Sequence, residues 1–317
     1  EQCHDLRPPL AIILQMPSAP DRVQFVADRG DGRRRLDQTI QRRLRQEFPL
    51  SRNRVQVWID QGRVLVDGAA ARRASARTPE GALVEILLGD DVRRRERPQP
   101  EHGRLDVMYQ DDALLVLNKP AGVVVHPSYR NNAGTLLNSV MGHLGAERGA
   151  LPGIITRLDK DTSGLVLIAI APDVHRLVQR DVDAGTVTKS YLALVHGTPR
   201  PAAGTIDAPM ARDAADRRRL VTAPDGMRAV THYKVLATTG THALVRCVLE
   251  TGRTHQIRVH LASRGWPIVG DPVYGIDVPT AGPMALHAWR LRLPHPLTRA
   301  PMSVEAPVPP AFRAAVP

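Results

Sequence analysis

Residues 153–169 read GIITRLDKDTSGLVLIA. An apolar run enters, a polar knot interrupts it, and an apolar run leaves. Inside the knot stand Asp159 and Asp161, with Lys160 between them. Two carboxylates this close could hold a metal ion, form a phospho-acceptor pair, or combine one catalytic acid with a bystander. The flanking runs, IITR and GLVLIAIA, have the length and branching of strands. Leu165 to Ala171 is the longest apolar stretch and fits a buried strand, far short of the ~20 residues of a membrane helix.

Working outward, ALLVLNKP (113–120), GVVVHP (122–127), TKSYLALVHG (188–197), AVTHYKVLAT (229–238) and HALVRCVLE (242–250) read as strands bounded by turn residues. VHRLVQRDVDAG (174–185) and THQIRVHLASRG (254–265) have helical periods and close on glycines. The proline-rich tail from Pro294 is expected to lie across the surface. The fold class is therefore α+β: one mixed, mostly antiparallel sheet with a few helices, its loops gathered into a cleft, over residues 106–317.

Upstream, residues 91–105 are charged and proline-containing, and read as a linker. Before them, in residues 32–68, Leu36, Ile40 and Leu44 recur at helical spacing, and Ser51 precedes a second periodic run, Val55, Trp58 and Ile59, as an N-cap does. RVLVDG alternates as a strand and ends on the turn signal Asp67-Gly68. From Arg33 to Arg54 there are eight arginines against two acids. Charge packed onto two short helices suits the phosphate backbone of structured RNA. A small α+β domain is predicted over 22–90, with residues 1–21 a disordered extension.

The chain has 317 residues and a formal net charge of +11, which favours a polyanionic partner. Lysine occurs only at 119, 160, 189 and 234, so arginine carries most of that charge; genomic base composition alone can produce such a bias. Cys3 and Cys247 have no metal or redox spacing and read as unpaired thiols of a reducing cytoplasm. No H-E-x-x-H pattern, P-loop, G-x-G-x-x-G or G-x-S-x-G is present.

The knot's DKDTS has the form of a magnesium-dependent aspartyl phosphatase motif. Arg157 and Leu158 break the strand that should deliver its first acid, and Gly275 stands where a second acidic cluster should continue. The alternative places the chemistry on one carboxylate, Asp159, held by a guanidinium from Arg157, Arg253 or Arg258.

Taken in order, NKPAGVVVHP, RLDKDTSGL, KSYLALVHG, ETGRTHQIRVHLASRGWPIVGDPVYG and ALHAWRLRLPHP resemble the RluA family of RNA pseudouridine synthases. The resemblance covers nearly all of residues 106–296. RLDQTI, SRNRV and GRVLVDG, within 22–90, resemble the alpha-L RNA-binding domain that precedes RluD- and RluC-like synthases. It implies isomerisation of specific uridines, in large-subunit ribosomal RNA, by a cytoplasmic monomer that needs neither metal nor cofactor.

By the same resemblance, Asp159 matches the catalytic aspartate, which either attacks C1′ or removes the C2′ proton. Tyr191 matches the tyrosine that stacks on the flipped uracil. Arg258 matches the residue that ion-pairs with the aspartate, with Ile257 or Val259 in the apolar floor. Arg157 matches an arginine that fills the RNA stack. Lys160, Arg35, Arg52, Arg54 and Arg253 are the further RNA contacts expected. Thr156 stands where the family usually has histidine. Asp161 is expected to form the turn through its backbone-bonding carboxylate. The competing reading is a non-catalytic RNA-binding or ribosome-assembly protein.

Overall fold

The computed structural model describes residues 22–313, except 33, 46, 47, 49, 90–97, 128–132, 146–151, 217, 218 and 277–281. The expected N-terminal extension and residues 91–97 of the expected linker lie outside the described residues. The chain divides into two units between Arg97 and Pro98.

The first unit runs β1 (Arg22–Val26), α1 (Leu36–Leu44), α2 (Arg52–Asp60), β2 (Val64–Val66), β3 (Ala69–Ala70) and β4 (Leu83–Leu87). Its antiparallel sheet has the order β1-β4-β2-β3. The periodic residues of the helices, Leu36, Ile40, Leu44, Val55, Trp58 and Ile59, are buried against Val64, Val84 and Ile86. Burying each large apolar side chain contributes about 1.5–3 kcal/mol. The Ser51 hydroxyl accepts the Arg54 amide at 3.2 Å and caps α2. Asp67 and Gly68 have φ of 49° and 77°, as a two-residue turn between β2 and β3 requires.

The second unit opens with β5 (Val107–Gln110), β6 (Leu114–Lys119), α3 (Leu136–Leu144), β7 (Gly153–Ile154), β8 (Ser163–Ala169) and α4 (Pro172–Asp183). Then come β9 (Thr188–His196), β10 (Ala203–Asp207), β11 (Met210–Arg212), β12 (Leu220–Thr222), β13 (Val230–Thr239) and β14 (His242–Leu249). It ends with α5 (Gln256–Ser263), β15 (Leu286–Pro294), β16 (Pro301–Glu305) and α6 (Pro310–Arg313). The main sheet has the order β10-β13-β14-β9-β15-β8-β6-β5, with β16 on β15 and β7 on β8. Every pairing in it is antiparallel except β8 with β15. The small β11–β12 pair stands apart.

The run after the polar knot is apolar throughout because β8 is covered on both faces. Val166 and Ile168 enter one core, which also holds Tyr191 and Ile257; Leu165, Leu167 and Ala169 enter the other, with Val174 and Val178 of α4.

Two sequence expectations need correction. GVVVHP is not a strand. The Val124 and Val125 carbonyls accept the Leu136 and Leu137 amides, first-turn donors of α3 that a helix leaves unpaired. The tail from Pro294 is not merely draped over the surface, since residues 301–305 add β16 antiparallel to β15. Helix α3, a stretch to which the sequence reading assigned no element, starts at the reciprocal Thr135–Asn138 capping box.

Candidate functional site

The polar knot forms the connection from β7 to β8. Thr156 and Leu158 are buried, while Arg157 and Lys160 are exposed and Asp159 is partly exposed. The Thr156 hydroxyl accepts the Leu167 amide at 2.8 Å, so the residue standing at the family's histidine position fastens the knot to β8. The Thr162 amide donates to the Asp159 carbonyl at 3.2 Å and closes the turn.

A second anchor comes from the end of β6. Lys119 is fully buried, and its ammonium donates to the carbonyls of Pro120 at 2.8 Å, Val123 at 3.0 Å and Lys160 at 3.0 Å. Burial pulls its pKa down to about 8, opposed by the fields of Asp161 and Asp159. Among the described residues the Asp161 carboxylate makes none of the expected turn-forming bonds; backbone bonding and the Lys119 ammonium hold the turn.

Arg258 reaches the knot from α5, 99 residues along the chain. It is 4% exposed. Its Nη1 donates to Asp159 Oδ2 at 3.0 Å, while Nε and Nη2 form a two-pronged pair with Asp271, both at 2.8 Å. Asp271 Oδ1 also accepts the amides of Val273 and Tyr274, at 2.9 and 3.0 Å. Burial opposes the Arg258 charge, yet its bonds to Asp271 and Asp159 outweigh that and hold its pKa above the ordinary value. Burial likewise opposes ionisation of Asp271, and Arg258 with the two amides overrides it and lowers its pKa. The guanidinium is therefore a fixed, permanent cation with one edge spent on Asp271 and one donor turned to Asp159.

Tyr191 on β9 is buried and pairs in register with Ala288 of β15, which pairs in turn with Gly164 of β8. Gly164 has φ of 106°, and a Cβ there would run into the Ala288 backbone, so only glycine lets these strands meet. Three strands thus bring Tyr191 toward the knot. Burial, then the field of Asp159, pushes the Tyr191 hydroxyl pKa up, so it stays a neutral phenol at ordinary pH. Ile257 shares the Tyr191 core, whereas Val259 packs with Met210, Ala229 and Tyr274.

Among the other expected contacts, Arg253 is exposed in the loop before α5, its Nε donating to the Arg228 carbonyl at 3.1 Å. Lys189, not among those expected contacts, is half-buried on β9, its pKa lowered by burial, beside Gly252 and without a carboxylate partner among the described residues. In the first unit, Arg35 is bound two-pronged to buried Asp37, and Arg52 reaches the same carboxylate at 3.3 Å. A concave site of about 610 Å³ is lined by Arg34, Gln38, Gln41, Arg42, Arg45 and Arg52. Of the three arginines expected there, only Arg52 lines it; Arg54 is exposed in the first turn of α2. Among the described residues, no group of three or more His, Cys, Asp or Glu is placed to hold a metal ion.

The model of the RNA pseudouridylate synthase family matches residues 113–263, a span that contains Asp159, Tyr191 and Arg258. The uncharacterized RNA pseudouridine synthase YlyB of Bacillus subtilis is 42% identical, over 82% of this chain and 86% of that protein. The chain belongs to this family. Ribosomal large subunit pseudouridine synthase D of Nitrosomonas europaea is 41% identical, over 87% of this synthase and 81% of the relative. The synthase of the same name from Escherichia coli K12 is 36% identical, over 91% and 92%. Among solved structures, human RNA pseudouridylate synthase domain containing 1 aligns with a TM-score of 0.55 and 26% identity, covering 69% of this chain and 90% of that one. Human RNA pseudouridylate synthase domain containing 4 gives 0.53 and 27%, covering 66% and 91%.

From sequence, Asp271 reads as part of a turn supporting the site and His255 as holding the start of its helix, while Lys119 and Tyr274 are not singled out in this synthase. Asp271 was visible only as a turn residue in GDPVYG. Lys119 left one signal: a charge at the end of an apolar strand, in a chain with only four lysines.

Proposed function

We propose that this synthase isomerises uridine in large-subunit ribosomal RNA, with Asp159 as the reacting carboxylate. Arg258 carries the proposal: it is a buried cation whose other edge is locked by Asp271, leaving one donor for Asp159. Such a clamp holds the carboxylate in one aim, which attack at C1′ or removal of the C2′ proton both need. The C1′–N1 bond breaks, C5 bonds to C1′, the hydrogen on C5 leaves as a proton, and N1 takes up a proton. The base changes its point of attachment without net oxidation.

The reach of a paired uridine to Asp159 requires flipping, at a cost of a few kcal/mol. Arg157 fills the vacated stack with a planar cation, a role supported by its exposure two residues before Asp159. Tyr191 supports the uracil through its ring and holds its own proton. Lys160, Lys189 and Arg253 meet phosphates around the site. In the first unit, the arginine-lined concavity with Arg52 receives phosphate, while Arg35 and Arg54 contribute charge beside it. The synthase works as a monomer in the cytoplasm, on RNA or its precursor particle.

The test is pseudouridine mapping of ribosomal RNA from a strain lacking the gene, complemented with wild type or Asp159→Asn. A large-subunit site should vanish in the deletion and return only with wild type. Persistence of every site would overturn the substrate, and restoration by Asp159→Asn would overturn the catalytic assignment.

A further inference from the structure

His255 begins α5 from an unusual backbone position. Its φ and ψ are 56° and 15°, in the left-handed region that a non-glycine residue adopts at a cost. Among the described residues, the other non-glycines with positive φ are Asp67, in a hairpin turn, and Arg299. From this position the imidazole faces two groups. Nδ1 lies 2.9 Å from the Tyr274 hydroxyl, and Nε2 lies 3.8 Å from Asp159 Oδ2. The two rings meet edge to face, with centroids 5.6 Å apart.

Counting protons fixes the tautomer. The Leu220 amide donates to the Tyr274 oxygen at 3.0 Å. Among the described residues the hydroxyl's own hydrogen then has one acceptor at hand, His255 Nδ1. That places the imidazole hydrogen on Nε2, the nitrogen that faces Asp159. At 3.8 Å this contact is open, longer than a hydrogen bond. Arg258, at 3.0 Å, addresses the same Oδ2. Both protein donors therefore converge on one oxygen, and Oδ1 takes no hydrogen bond from the described residues.

We propose that His255 is a positioning residue for Asp159, held by Tyr274, and that with Arg258 it reserves Oδ2 for the protein and Oδ1 for the substrate sugar. The inference rests on the role proposed for Asp159. Tyr274 extends the contact outward: its hydroxyl is tied to Leu220 at the start of β12, and the Arg219 guanidinium lies 5.4 Å from its ring centre. The β11–β12 hairpin, which carries exposed Arg212 and Arg219, is thereby joined to the pose of the reacting carboxylate.

The charged and titratable groups around His255 are Asp159 from the knot, Arg258 on α5, Asp271 beyond it, Tyr274, and Arg219 beside the Tyr274 ring. Burial, with Arg258, favours the neutral imidazole over the opposing pull of Asp159 and Asp271. Protonated His255 would bind Asp159 as an ion pair and draw it from the sugar, so the rate should fall as the pH drops and His255 takes a proton.

The experiment measures single-turnover rates and RNA affinity of the full chain on an unmodified large-subunit ribosomal RNA transcript, tritiated at uridine C5. His255→Gly removes the ring but keeps the left-handed backbone; His255→Gln restores an N–H near the Nε2 position. We expect His255→Gly to lower the rate on the order of 10- to 100-fold with affinity unchanged within about twofold, since small misplacements of reacting groups cost that much. His255→Gln should recover part of the rate and move the acid limb of the pH profile to lower pH. Tyr274→Phe should reproduce most of the loss, and the double variant should be no worse than the weaker single by more than about twofold. A His255→Gly rate within twofold of wild type, or an unmoved acid limb in His255→Gln, overturns the proposal. Asp159→Asn, run alongside, separates the two ideas: if it is inactive while His255→Gly is normal, only this inference fails, and if it is active, the proposed role of Asp159 fails.

Discussion

Asp271→Ala should damage the synthase more as a folded object than Asp159→Asn does, although Asp159 is the proposed reacting group. Asp271 has a side chain with 0% exposure and holds Arg258 by two bonds and its own loop by two backbone amides. Removing it strands Arg258, which is 4% exposed, with Asp159 as its one remaining carboxylate among the described residues. Breaking a buried pair from one side costs about 3–5 kcal/mol. For a unit of this size, that lowers Tm on the order of 10 °C. Asp159 is 24% exposed and makes one bond to an arginine that Asp271 still neutralises. Its loss should cost below about 1 kcal/mol, in the range of exposed pairs. Thermal and urea unfolding followed by circular dichroism, alongside single-turnover rates, give both readouts. Asp159→Asn should fold normally and be inactive; Asp271→Ala should be both unstable and slow. A melting temperature for Asp271→Ala within about 2 °C of wild type would refute the clamp as the organising feature of the site.

Lys119→Met should take the ammonium from three carbonyls, of which only that of Lys160 keeps a second donor, the Gly122 amide, cost about 1–3 kcal/mol in urea unfolding, and lower kcat by loosening the knot at Lys160. Gly164→Ala should cost at least about 2 kcal/mol in the same assay, because an L side chain is strained at φ 106° and meets the Ala288 backbone. His287 is 1% exposed, and burial lowers its pKa to about 4 from an ordinary 6.5. The unfolded chain therefore takes up a proton between pH 6.5 and 4 that the folded chain refuses, and stability falls as pH drops through that window, by about 3 kcal/mol from this residue. His255 and His260, also lowered, act in the same direction. Unfolding at pH 7 and 4.5 should show this loss, and His287→Asn should reduce it.

Much of this site could be read in the chain because its parts carry distinct signals. An acid in a polar knot between apolar runs, a tyrosine in an alternating strand and an arginine on a short helix all keep their motif context. The buried run after the knot was legible as a strand because β8 feeds both cores in alternation. What could not be read were partners chosen in three dimensions. Asp271 looks like any turn acid, since nothing local says that a guanidinium from α5 will occupy both its oxygens. Lys119 looks like a strand-end charge until three carbonyls, two from the loop after β6 and one from the knot, converge on it. GVVVHP has strand composition, yet α3 claims its carbonyls. The tail hid β16 because Pro294 and Pro301 flank the turn; prolines are admissible there, at the ends of paired strands on the sheet's edge.

Release of tritium from RNA labelled at uridine C5 tests the central claim most directly, because the C5 hydrogen must leave when C5 bonds to C1′. With unmodified large-subunit ribosomal RNA, the wild-type synthase should release tritium and leave pseudouridine in equal amount. Asp159→Asn should bind the same RNA, melt within about 4 °C of wild type, and release none. Tritium release by Asp159→Asn at a rate near that of wild type would contradict the account.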